Sequence, residues 1–175
     1  MDHGELIRRI RDVALLHGDF TLRSGRKSKY YLDKYLFETQ PDILAALGQR
    51  IAAHADASID RLAGAELGGI PLVTAASLAC GKPSVLIRNQ KKSYGTAKQL
   101  EGKLNPGDRV LLVEDVVTTG GQLLEAVKAI QDAGATVAKI VAVIDRQEGA
   151  RENIEAAGYQ LVTLFTKQDL GIRED

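Results

Sequence analysis

The sequence predicts an α/β protein with a central, mainly parallel sheet flanked by helices on both faces. Three observations carry that reading. Short, largely apolar runs recur at residues 61–65, 84–87, 109–113, 137–144 and 160–165. Segments with apolar residues at intervals of three and four separate most of these runs, the signature of amphipathic helices. Turn residues mark the changes of period: Asn105-Pro106-Gly107-Asp108 precedes the run at 109, and Gly158 stops a helical pattern before the run at 160. A sheet of this kind opens a ligand crevice at the carboxyl ends of its strands.

Composition bounds what such a protein does. The 175 residues fit one domain, 1–175, on a prior of about 150 residues per domain. Lys plus Arg and Asp plus Glu both count 23, so the net charge is zero. That argues against bulk attraction to nucleic acid or to a membrane surface. One Cys and no Trp exclude a disulfide framework or a cysteine-rich metal site and suit a reducing compartment. Cys80, within Ser77-Leu78-Ala79-Cys80, reads as a buried small hydrophobe. The charged N-terminus lacks the apolar core of a signal peptide, and no apolar run approaches the roughly 20 residues needed to span a bilayer. A soluble, cytoplasmic protein is expected.

Taken in order, residues 5–16 place Leu6, Ile7, Ile10, Val13 and Leu16 on one helical face ended by Gly18, and this helix is expected on a sheet edge. Residues 20–22 and 30–32 are short β-like runs joined by a polar loop with Ser24-Gly25, a hairpin that equally fits a plain surface hairpin with a solvated basic tip. Residues 41–54 form a helix with Pro41 in its first turn. The strand at 61–65 leads into Glu66-Leu67-Gly68-Gly69-Ile70-Pro71 and an apolar helix through Ala79. Paired glycines there allow a backbone to approach a ligand closely, or simply make a tight turn.

After the strand at 84–87 comes a polar stretch, 88–103, with Arg88, Lys91, Lys92, Lys98 and Lys103. It is either a solvated loop or a lid over a highly charged ligand. The run at 109–113 ends in Glu114 and Asp115, and then Thr118-Thr119-Gly120-Gly121 opens a helix carrying Leu124, Val127, Ala129 and Ile130. Unpaired N–H groups at a helix start bind a phosphate. Carboxylates would repel it unless they face another part of the ligand, and ribose hydroxyls are the donors they would accept from. The stretch 109–122 therefore reads as a ribose 5-phosphate site, against the plainer reading of a strand–turn–helix crossover with a Thr cap. Finally, the strand at 137–144 ends in Asp145-Arg146, followed by a helix at 148–157 and a last strand at 160–165. Arg146 suits bidentate binding of a carboxylate, or an ion pair with Glu148 or Glu152.

Glu114-Asp115-Val116-Val117-Thr118-Thr119-Gly120-Gly121 resembles the phosphoribosyl-diphosphate (PRPP) signature of type I phosphoribosyltransferases. It contains no Walker lysine and no GxGxxG fingerprint. Within that family the chain is similar to the orotate enzymes. Their N-terminal hood matches Leu22-Arg23-Ser24-Gly25, with Tyr31-Leu32 in the place of paired aromatics and its second position aliphatic, and their lid pattern matches Arg88, Lys92, Tyr94, Gly95 and Glu101-Gly102. The resemblance divides the chain into a helix and hood, 1–40, and a core, 41–175, with lid 88–103, in the type I phosphoribosyltransferase fold.

What this resemblance implies is transfer of phosphoribose from PRPP to orotate, with Mg²⁺ carried by the diphosphate. Lys92, Asp115 and Glu114 take the catalytic positions. PRPP is held by Arg88, Lys92, Tyr94, Glu114 and Asp115, by Val116 and Val117, and by Thr118, Thr119, Gly120, Gly121 and Gln122. Orotate is held by Arg23, Tyr31, Thr118 and Arg146. Gly68 leaves the diphosphate loop only backbone to offer. A homodimer sharing its lid across the interface is implied as well. In the lid two residues depart from the pattern: Asn89 stands where the family usually has Lys, and Gln90 replaces a residue often charged. A missing charge-assisted bond at Asn89 would cost about 1–3 kcal/mol.

Overall fold

The computed structural model describes residues 1–21, 25, 27–89 and 99–172. Arg23, Gln90, Lys92 and Tyr94 lie outside them. The chain runs α1 (His3–Ala14), β1 (Leu15–Thr21), β2 (Lys27–Leu32), α2 (Lys34–Glu38), α3 (Pro41–Ala52), β3 (Arg61–Ala65), α4 (Gly69–Cys80) and β4 (Ser84–Ile87). It continues through β5 (Leu100–Glu101), β6 (Arg109–Val117), α5 (Gly121–Asp132), β7 (Thr136–Asp145), α6 (Ala150–Ala156) and β8 (Leu161–Thr166).

Six strands form one sheet in the order β5-β4-β3-β6-β7-β8. Every pair is parallel except β4 with β5. Because strand side chains alternate between faces, β6 sends Leu111 and Val113 to one side, into a core cluster with residues of α1, α2, α3 and α4. Val110 and Leu112 go to the other, against Leu123, Ala126, Val127 and Ile130 of α5 and Ala150 and Ile154 of α6. Both faces are thus covered, as near-continuous apolar strands require.

β1 and β2 form a separate antiparallel hairpin, with Leu15 opposite Leu32 and Thr21 opposite Lys27. The hairpin begins earlier than its sequence suggests. The helical pattern at 5–16 stops at Ala14, because the segment from Leu15 pairs with β2, and Leu16 is left exposed. Pairing across the hairpin overrides local periodicity. α1 is capped by Asp2, whose side chain accepts from the Glu5 N–H at 2.7 Å. Its His3 ring lies 5.1 Å from Phe165 of the edge strand β8, where a sheet-edge helix was expected.

α2 has no counterpart in the sequence reading. Five residues are too few to hold a helix by themselves. Asp33 caps it by accepting from the Tyr35 N–H, and Phe37, fully buried, pins it to the core. Burying such a side chain is worth about 2–3 kcal/mol. Cys80 is half-buried against the same cluster. No described helix is long and apolar enough to cross a membrane.

Candidate active site at the carboxyl end of the sheet

β6 continues four residues past the predicted end at Val113, so Glu114 and Asp115 belong to the strand itself. Pairing with β7 explains the extension: Val116 lies opposite Ile144 and Val117 opposite Asp145. The acids are therefore fixed by a sheet ladder instead of hanging in a loop. Beyond them the chain turns through Thr118 and Thr119 into α5.

The residue preceding α5 is Gly120, at φ +84°, and no side chain caps the helix. The Thr-capped crossover is thereby ruled out. Leu124 N–H donates to Gly120 O at 3.0 Å, so the donors ahead of it in the first turn have no partner in the helix and point outward. A side chain at Gly120 would be strained by that φ, and its Cβ would meet Ile154 at 3.2 Å. Asn153 of α6 holds the turn from outside, donating to Thr119 O at 2.9 Å. The result is a rigid cradle of bare N–H groups with the positive end of a helix dipole behind it.

This turn forms one wall of a cavity of about 560 Å³ that also takes in Glu114, Asp115, Glu66, Leu67, Gly68, Arg88 and Lys34. Every residue from Glu114 to Gln122 lines it. On the acid side, Asp115 is 1% exposed and held at both oxygens. Val116 N–H donates to Oδ1, and Lys34 Nζ sits 2.6 Å from Oδ2. Glu114 Oε1 accepts from the Asp115 N–H at 3.1 Å. Burial, reinforced by the Asp115 charge, pushes the Glu114 carboxyl up to about 8. Glu38 of α2 is raised to about 9 by the same causes in the same order. Lys34 is raised as well: burial, the largest influence, pulls it down, but the Asp115 charge and hydrogen bond outweigh it.

Gly68 brings the strand-to-helix loop against this cluster. A Cβ there would stand 1.6 Å from Asp115 Oδ2. The glycine is thus required by a side chain of the protein, a reason distinct from the ligand approach that its sequence suggested. At the mouth of the cavity, Asn89 N–H donates to Glu66 Oε1 at 2.6 Å and Arg88 N–H to Gln99 O at 2.8 Å. Residues 88–89 and 99 thus lie side by side next to the β4–β5 pairing.

The remaining candidates stand apart. Arg146 does not line the cavity, though its N–H donates to Val117 O at 3.0 Å, and its guanidinium pairs with Glu148 at 3.1 Å. Tyr31 is exposed on the hood with its ring 5.7 Å from that of Phe20. Lys34 and Glu38 were missed altogether. The signal available was their spacing: residues four apart share a helix face, but a five-residue helix shows too little periodicity to announce itself.

Among the described residues no group of three or more His, Cys, Asp or Glu could hold a metal ion.

Comparison with known proteins agrees with this geometry. Residues 33–161 match the phosphoribosyl transferase domain family. The orotate phosphoribosyltransferase of Methanocella arvoryzae is 46% identical over 95% of each chain. Two crystal structures of Mycobacterium tuberculosis orotate phosphoribosyltransferase each cover 98% of this chain and 100% of theirs. The one in complex with Fe(III) dicitrate has a TM-score of 0.89 at 35% identity, and the one in complex with PRPP 0.84 at 34%. A strand carrying two acids into an uncapped glycine turn, inside an α/β sheet matched along nearly its whole length, is shared descent: the chain belongs to the phosphoribosyltransferase family, among the orotate phosphoribosyltransferases.

Proposed function

We propose that the protein transfers the 5-phosphoribosyl group of PRPP to orotate, giving orotidine 5′-phosphate and diphosphate, a step of pyrimidine nucleotide synthesis in the cytoplasm. The observation that carries this reading is the pairing, in one cavity, of Glu114 and Asp115 with the bare N–H turn at 118–122. A 5-phosphate on the turn leaves the ribose hydroxyls facing the two acids.

Breaking the bond from C1 to the diphosphate develops positive charge on the ring and negative charge on the leaving group. Catalysis comes from stabilising both more strongly in the transition state than in the ground state. Asp115 and Glu114 accept from the hydroxyls, and the Asp115 charge favours the cationic ring. Arg88, Lys92 and Tyr94 clamp the diphosphate as lid 88–103 closes and excludes water. The charge neutralisation that Mg²⁺ carried by the diphosphate would supply adds to that clamp. Arg23 and Tyr31 of the hood, Thr118 and Arg146 receive orotate, whose carboxylate takes the place of Glu148 on the Arg146 guanidinium. The lid serves the neighbouring subunit of a homodimer.

Asn89 and Gln90 motivate a second reading, a PRPP-binding regulator without turnover. Incubation with PRPP, Mg²⁺ and orotate, followed by loss of orotate absorbance, separates the two. Turnover that fails when a purine base replaces orotate is expected; saturable PRPP binding without turnover supports the regulator. Asn89→Lys is expected to raise kcat/KM by roughly fivefold or more, from about 1 kcal/mol or more of restored charge-assisted bonding. An unchanged rate would contradict the assigned role of that lid position.

A further inference from the structure

Glu38 is 1% exposed, and neither carboxyl oxygen has a hydrogen-bond partner among the described residues. Burying a carboxyl in that state is costly unless something answers it. The position of Gly68 shows what lies opposite. A Cβ on Gly68 would stand 1.6 Å from Asp115 Oδ2 and 3.0 Å from Glu38 Oε1, so the two carboxyls converge over one bare Cα.

Two ionised carboxylates in such a place repel, and neither has a donor to offer the other. One proton between them resolves both problems. The partners decide where it sits. Asp115 has the Lys34 ammonium at 2.6 Å and the Val116 N–H, whereas Glu38 has no ion pair among the described residues. The charge therefore stays on Asp115 and the proton on Glu38. The charged groups acting on Glu38 are Lys34 on its own helix and Glu114 and Asp115 on β6. α1 and α3, which pack on α2, contribute Leu6, Ile10, Ile43 and Leu47 to the surrounding core.

We propose that Glu38 and Lys34 are positioning residues for Asp115: Glu38, as a neutral acid, donates its O–H to the Asp115 carboxylate while Lys34 grips Oδ2, and together they hold Asp115 charged and aimed at the ribose hydroxyls. This rests on the reading of Asp115 as a ribose-gripping acid. Ionising Glu38 would add a second negative charge beside Asp115, compete for Lys34 and loosen the carboxylate. The deprotonation, displaced to about 9 by burial and Asp115, then appears as a loss of activity on the alkaline side. Lys34 also lines the cavity, so its ammonium stands where the ligand and Asp115 meet.

The test is steady-state kinetics from pH 6 to pH 10 on the full-length protein and on E38Q, E38L, K34M and D115N, with melting curves to establish that each folds. E38L and K34M are expected to lose about tenfold in kcat/KM for PRPP, the size of one buried hydrogen bond to a charged group, with little change in KM for orotate. E38Q keeps a donor and cannot ionise. It is expected to recover most of what E38L loses and to move the alkaline fall upward by about one pH unit. An E38Q pH profile that coincides with the wild type, together with a fully active E38L, overturns the proposal while a crippled D115N leaves the ribose site standing. A fully active D115N overturns the ribose reading and this proposal with it.

Discussion

The two halves of the cavity are built by opposite means. The turn from Thr118 to Gln122 presents uncapped N–H groups, a glycine at φ +84° and no titratable side chain. Nothing in this turn changes charge with pH. The other half consists of the charge-bearing side chains Asp115, Glu114, Glu38 and Lys34, packed so closely that burial and the Asp115 charge push the Glu38 and Glu114 carboxyls well above their ordinary range. The first half is rigid through its geometry. The second is held by a balance of charge, and it has more ways to fail.

Changes on the acid side should therefore be the more damaging. Asp115→Asn keeps the shape of the side chain and removes its charge. It is expected to lower kcat by at least about a hundredfold with an unchanged circular dichroism spectrum; near-normal turnover would place the ribose elsewhere. Gly68→Ala forces a methyl into the space of Asp115 Oδ2, 1.6 Å away. Displacing that carboxylate by about an ångström is expected to cost about 10²-fold in kcat/KM for PRPP.

Gly120→Ala probes the backbone half. Its positive φ and the contact with Ile154 are expected to cost about 1–2 kcal/mol of stability and to raise KM for PRPP by a factor that is the same at pH 6 and pH 9. A factor that varies with pH would mean that the two halves are coupled. The smallest effect expected is thermodynamic. Glu38 and Glu114 keep protons in the folded state that the unfolded chain releases above about 4.5. Their contribution to stability is full below that value and is lost as pH rises through about 8 and about 9. The melting temperature should thus fall between pH 6 and pH 9, and Glu38→Gln should flatten the fall.

The same division governs what could be read from the sequence. The strand–turn–helix around Thr118 was legible because its physics is local: an apolar run, small residues, then a helical period, all contiguous from Arg109 to Ile130. The parallel core strands were legible for the same reason. Three things were not. The hairpin took Leu15 and Leu16 from the predicted first helix, because strand pairing is settled by a partner fifteen or more residues away. The extent of β6 past Val113 depended on its neighbour β7. The support of Asp115 depended on α2, a helix too short to carry a period, whose two charged residues meet the acid only in three dimensions. Gly68 was recognised as a close-approach glycine, yet what approaches it is Asp115.

A crystal structure with PRPP bound tests the central claim most directly. The account predicts the 5-phosphate on the backbone N–H groups of residues 118–122 and the ribose 2′ and 3′ hydroxyls donating to Glu114 and Asp115. PRPP found elsewhere, with that turn empty and Asp115 untouched by the sugar, would contradict it.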